Sequence, residues 1–123
     1  MVRVYNFFQN GSFTDGTFPL GPLSEGGVIT NIRAGHLVAA TVNATGDIAV
    51  KNGATSLQNA VINMGAVSGP AANLSNKATL HATQTNRDVS EGAVLSVILA
   101  NGLAVGGAKG IDTCVAVEVA SET

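Results

Sequence analysis

The chain has 123 residues and a net charge of −2, and charged side chains make up only 11% of it. That length fits one domain able to bury roughly two-thirds of its unfolded surface unaided, and the single cysteine, Cys114, excludes an intrachain disulfide. The cations Arg3, Arg33, Lys51, Lys77, Arg87 and Lys109 are scattered and form no basic patch, which argues against nucleic acid as a partner.

Hydrophobic residues are 46% of the chain but aromatics only 4%, so the interior must be built from Val, Ile, Leu and Ala. Fifteen glycines, with many Asn, Ser and Thr, fit short strands joined by tight turns. The scarcity of Lys and Glu argues against solvent-facing helices.

All five aromatic residues, Tyr5, Phe7, Phe8, Phe13 and Phe18, lie in the first eighteen positions. Residues 2–8 alternate and predict a strand, with Val2, Val4 and Asn6 on one face and Arg3, Tyr5 and Phe7 on the other. Asn10-Gly11 signals a turn, residues 14–18 a short return strand, and Pro19, Gly21, Pro22 and Gly26-Gly27 a stiff connector. Residues 1–27 thus read as an aromatic-rich arm and residues 28–123 as the main domain. Two readings of the rings stand: they cap one end of the core, or they dock onto a neighbouring subunit or lattice, since aromatics dominate interface energetics. Their crowding at one terminus favours docking, and truncation of residues 1–20 is then expected to abolish it.

Residues 28–34 predict a strand with Val28, Thr30, Ile32 and Ala34 inward and Asn31 and Arg33 outward, ended by Gly35. A weaker strand of undetermined register follows through residues 36–44. Residues 47–57 form a hairpin with Ile48 and Val50 inward and Asn52-Gly53 as a type I′ turn. Residues 65–76 read as a loop. Residues 77–83 alternate again, with Ala78, Leu80 and Ala82 on one face, and residues 84–88 form a polar turn. Residues 92–100, closed by Asn101-Gly102, are the most apolar run and read as a central strand buried on both faces. The glycines of that region make a membrane span an unsuitable reading. The last strand, residues 111–120, places Val115, Val117 and Val119 inward and Cys114, Ala116 and Glu118 outward. The sum is an all-β, single-domain, jelly-roll-like sandwich of about eight short antiparallel strands.

Chemistry is sparse. His36, His81 and Cys114 have no metal-ligand spacing, and each reads more simply as a surface or half-buried residue. The glycine-rich residues 102–110 lack the Gly-Lys-Ser/Thr ending and following helix of a phosphate loop. No Gly-x-Ser-x-Gly elbow occurs. The expectation is a non-enzyme without metal or cofactor.

Three stretches carry a resemblance: Gly46-Asp47-Ile48-Ala49-Val50-Lys51-Asn52-Gly53-Ala54-Thr55, Val89-Ser90-Glu91-Gly92-Ala93-Val94-Leu95-Ser96-Val97 and Thr113-Cys114-Val115-Ala116-Val117-Glu118-Val119. Together the chain resembles the small jelly-roll virion proteins of tailed bacteriophages, which include capsid decoration, or cement, proteins. Their pattern has Val-x-x-Gly-Asp before the apolar strand, whereas here Ala93 follows Gly92 and Glu91 carries the acid. The resemblance spans about residues 28–120 and implies a structural subunit on the outer surface of a virion, bound to the major capsid protein and assembled as a homotrimer. Tyr5, Phe7, Phe8, Phe13 and Phe18 are the docking candidates. The alternative is a fibre or tail-associated carbohydrate-binding module, against which the lack of Trp counts.

Overall fold

The computed structural model describes residues 1–38, 40, 45–64, 76–103 and 108–121. Its strands are β1 (Val2–Ser12), β2 (Gly16–Leu20), β3 (Gly27–Val38), β4 (Asp47–Asn52), β5 (Thr55–Ser56), β6 (Ile62–Asn63), β7 (Asn76–Lys77), β8 (Asp88–Val89), β9 (Leu95–Ala100) and β10 (Ile111–Ala120). The only helical element among the described residues is a 3₁₀ turn, η1 (Gln84–Arg87), where the polar turn was expected. One sheet, here sheet A, runs β1-β10-β3, with β7 and β8 both on the far side of β3; sheet B runs β2-β9-β4, with β5 and β6 both beside β4. Every pairing is antiparallel.

Because β5 and β6 share one edge, as do β7 and β8, each sheet has four strand positions. The first strand lies beside the last and the second beside the ninth, which is the strand order of a jelly roll. The fold is an all-β sandwich. The segment expected as an arm is woven into it, however, because residues 1–27 supply an edge strand to each sheet. The alternation in β1 explains why: Tyr5 and Phe7 turn inward and pack on the core from opposite Val117 and Val115.

The interior is aliphatic, as composition required. Val115, Val117 and Val119 of β10 and Ile29, Ile32 and Ala34 of β3 face Leu95, Val97 and Leu99 of β9 and Ile48 and Val50 of β4. Burying one such side chain contributes about 1.5–3 kcal/mol relative to leaving it in water.

Five local expectations are corrected. Asn10-Gly11 makes no turn, because β1 continues through it to Ser12 with a one-residue bulge between Gln9 and Ser12, and the expected return strand pairs with β9 in the other sheet. In β3 the ladder passes from Glu118↔Asn31 to Val119↔Ile29 and skips Thr30. This bulge reverses the parity of the strand, so Ile29 is buried while Thr30 is exposed and Val28 only half-buried. Arg87 of η1 donates to the Ile29 carbonyl beside the bulge, at 3.0 Å. Gly35 does not end the strand: it pairs opposite Cys114, and β3 runs on to Val38. The hairpin closes on Asn52↔Thr55 around Gly53-Ala54, with positive φ at Gly53 alone, the type II′ pattern rather than I′. Finally, β9 begins at Leu95 and is fully buried on one face only, with Ile98 half-exposed between Thr17 and Ala49. No described element covers the outer face of sheet B, so an apolar run on both faces did not mean a third layer.

Residues 36–44 contribute the end of β3, and the rest of that expected strand lies largely outside the described residues, as do nearly all of the 65–76 loop and part of the 102–110 loop. The alternation over residues 77–83 yields only β7 and an isolated bridge from Leu80 to Gln58.

Gln58 fills the gap between β5 and β6. Its side chain is 3% exposed; its Oε1 accepts from the Val50 amide, and its Nε2 donates to the carbonyls of Ile48 and Ala60 at 3.4 and 3.1 Å. A side chain thereby continues a ladder that the backbone interrupts. Gln58→Leu leaves the Val50 amide buried and unpaired, so it should lower the unfolding free energy by about 1–3 kcal/mol, measured by urea denaturation.

Candidate functional site

Five aromatic residues were the candidate site, and the structure divides them. Phe13 is 1% exposed and belongs to the core. Its ring lies so close to Gly46 and Gly102 that a Cβ at either would come within 3.1 and 2.7 Å of it, and it meets the His36 ring edge-on at 6.0 Å between centroids. Phe13 is therefore a plug at one end of the sandwich and cannot dock a partner. Phe7 and Phe18, at 5.2 Å, are half-buried and close the side of the sandwich between the edge strands β1 and β2.

Tyr5 also packs against the core. Its hydroxyl lies 2.8 Å from Ser24 Oγ and accepts from the Ser24 amide at 3.1 Å. Next to it, Arg3 forms an ion pair with Glu25 at 3.0 Å. The guanidinium holds the Glu25 carboxyl below its ordinary range, and the Ser24 hydrogen bonds lower the Tyr5 phenol. These contacts fasten β1 to the connector after β2.

Only Phe8 is presented to solvent, at 52% exposure. It does not stand alone. Val2 and Val4 are 56% and 52% exposed on the same outward face of β1, and from Val2 to Phe8 the row extends about 20 Å along the strand. Beside it on β10 lie Ala120, Ala116 and Cys114, in register with Val2, Asn6 and Phe8. Glu118, opposite Val4, accepts from Asn31 Nδ2 at 2.9 Å on the next strand. The outer face of sheet A at β1 is thus apolar at Val2, Val4 and Phe8, interrupted by the uncharged Asn6 and Asn10, with Glu118 beside it on β10. Reading from sequence placed Val2 and Val4 on one face but left them out of the site; their alternation was the signal, and the rings drew attention away from it.

The remaining candidates have structural surroundings. His36 is 1% exposed, with Nδ1 2.9 Å from the hydroxyl of the buried Thr113. Gly110 presses on the ring so closely that no side chain fits there. Burial pushes the imidazole pKa down, against a smaller opposing effect of a hydrogen bond with the Met64 backbone. His81 binds Asn86 and the Thr83 amide. Cys114 is half-buried, and burial with the nearby Asp112 carboxylate raises its thiol pKa, which disfavours the reactive thiolate. Among the described residues no three His, Cys, Asp or Glu side chains gather as metal ligands, and no helix is long and apolar enough to cross a membrane.

Comparison with protein-family models, curated proteins and solved structures finds no match.

The division of the rings is measurable. Phe13→Ala should cost about 3–5 kcal/mol of stability, whereas Phe8→Ala should stay within about 0.5 kcal/mol, both by denaturant melts. For His36, the folded pKa lies below the unfolded value of about 6.5, so the unfolded chain binds the proton more readily. Its contribution is therefore complete above pH ~6.5 and is lost as pH falls from there toward the folded pKa, with a slope of up to about 1.4 kcal/mol per pH unit. Urea midpoints between pH 7.5 and 5 should fall in the native protein, and His36→Gln should flatten that slope.

Proposed function

We propose that this chain is a non-enzymatic structural subunit that decorates a bacteriophage capsid, binding the major capsid protein lattice on the virion surface. The single observation that carries the reading is the exposed apolar row Val2, Val4 and Phe8 on the outer face of β1. Solvent-facing Val and Phe suit an extended strand, but aligned in one row they leave apolar surface in water. They make a dry contact of the kind found at the centre of protein interfaces, where charge is depleted and aromatics are enriched. The jelly-roll order supports the reading at the level of fold analogy, since this architecture recurs in viral capsid proteins. The low charge of the chain suits extended contact with other subunits.

The carbohydrate-binding alternative draws less support from the rings. Sugar stacking usually uses an exposed Trp or Tyr; the chain has no Trp, its one tyrosine is half-buried with the hydroxyl engaged by Ser24, and the one open ring, Phe8, has no polar handle.

Truncation of the first twenty residues is not a usable test, because it removes β1, β2 and Phe13. The test is gradient sedimentation of purified protein with phage heads that lack it. The native protein should co-sediment with the heads, and Phe8→Lys should lower occupancy at least tenfold, equivalent to about 1.4 kcal/mol, with an unchanged circular-dichroism spectrum. Native protein that stays at the top of the gradient, or a Phe8→Lys variant that binds as well as the native chain, refutes the proposal.

A further inference from the structure

The backbone edge of β1 has a feature separate from its apolar face. Ser121 donates to the Met1 carbonyl at 2.8 Å, Gly11 to the Asp112 carboxylate at 2.8 Å, and Phe13 to the Gly110 carbonyl at 2.9 Å. The first bond lies in the unbroken register that runs to Gln9↔Thr113, so the odd-numbered backbone groups up to Gln9 face β10; the other two hold the end of the strand beyond its bulge. The even-numbered residues Val2, Val4, Asn6 and Phe8 therefore aim their N–H and C=O groups away from the sheet, and all four are exposed.

Proteins normally blunt such edges with short strands, proline, charge or bulges. The other described edges follow that rule. β2 carries Pro19, which has no N–H to offer an incoming strand. β5, β6, β7 and β8 are two residues each. β1 is eleven residues long, has no proline and bears one charge, Arg3; its one bulge lies near its end, between Gln9 and Ser12, and leaves Val2–Gln9 in unbroken register.

We infer that the edge of β1 pairs with the β1 edge of a second copy of this chain, antiparallel about a two-fold axis at Asn6, a dimer in place of the homotrimer that the resemblance implies. The sequence of the strand is self-complementary in that register. Asn6 meets Asn6 of the second copy, an amide pair able to hydrogen-bond. Val4 meets Phe8 of the second copy, and the symmetry repeats this aromatic–β-branched pair, each worth roughly 0.2–1 kcal/mol over Ala–Ala. On the inner side, Arg3 falls opposite the neutral Gln9 of the second copy, so the one charge of the strand never faces itself. A self-complementary patch of this kind is what a closed two-fold interface requires. Pairing leaves the outer face open and merges two apolar rows into one band, so this inference stands whether or not a capsid is the eventual partner.

The test uses the full chain in solution, without a lattice. Light scattering across a concentration series should give twice the chain mass of 12.3 kDa. Asn6→Lys and Asn6→Glu each set like charges against one another on the axis and should each give monomers with the native circular-dichroism spectrum. Mixed in equal amounts, they should regain the dimer mass. Asn6→Pro is the second probe: it removes only an outward N–H, so it should keep the β1–β10 ladder and still be monomeric. A native protein that is monomeric or trimeric, a charge variant that still dimerises, or a mixture that stays monomeric overturns the inference.

Discussion

The structure depends on one arrangement: β10 lies between β1 and β3, and its valines form the floor on which the other sheet rests. The first, third and last strands are thereby locked into a single ladder. With so few aromatics, the core has no large anchors apart from Phe13, and its cohesion comes from many small aliphatic contacts. Such an interior tolerates little misregistration, because a slip of one residue would send a whole row of valines into water. This is why the irregular points, the bulge at Thr30 and the gap beside Gln58, are held by side chains, Arg87 on one carbonyl and the Gln58 amide on another stretch of backbone.

Much of this was legible in the sequence where alternation is strict. The faces of β1 and β10 follow directly from their period of two, and Ile48 and Val50 point inward as their spacing dictates. What failed is what local pattern does not encode. A bulge adds one residue and inverts the parity after it, so Val28 and Thr30 appeared inward when Ile29 is. The turn at Gly53-Ala54 differs by one residue from the expected one because register is fixed by pairing across β4, not by the Asn-Gly dipeptide alone. Apolarity on both sides of β9 does not bring coverage on both sides, because composition along a strand does not say how many layers lie over it.

The candidate site was less legible than the fold. Composition singled out the rings, but a ring says nothing of whether it faces the interior. Phe8 and Phe7 are neighbours on one strand, and pleating alone assigns them opposite fates. Phe13 lies past the end of β1, where the chain crosses between sheets, and there the pockets left by Gly46 and Gly102 decide that it goes inside. Those glycines are distant in sequence, so only the assembled fold could bring them to it. The exposed apolar row on β1 instead includes two valines that composition treats as ordinary.

The placement of β10 also bears on how the protein is made. Val2 has Ala120 as its ladder partner, so β1 cannot join its sheet until β10 has been made. Until then the apolar side of β9 and the inward rings of β1 have no sheet to cover them, and a nascent chain so poor in charge has little to keep neighbours apart. Joining β1 to its sheet therefore closes a loop of nearly the whole chain, an entropic cost met before the contact rewards it, and non-local pairing of this kind slows folding.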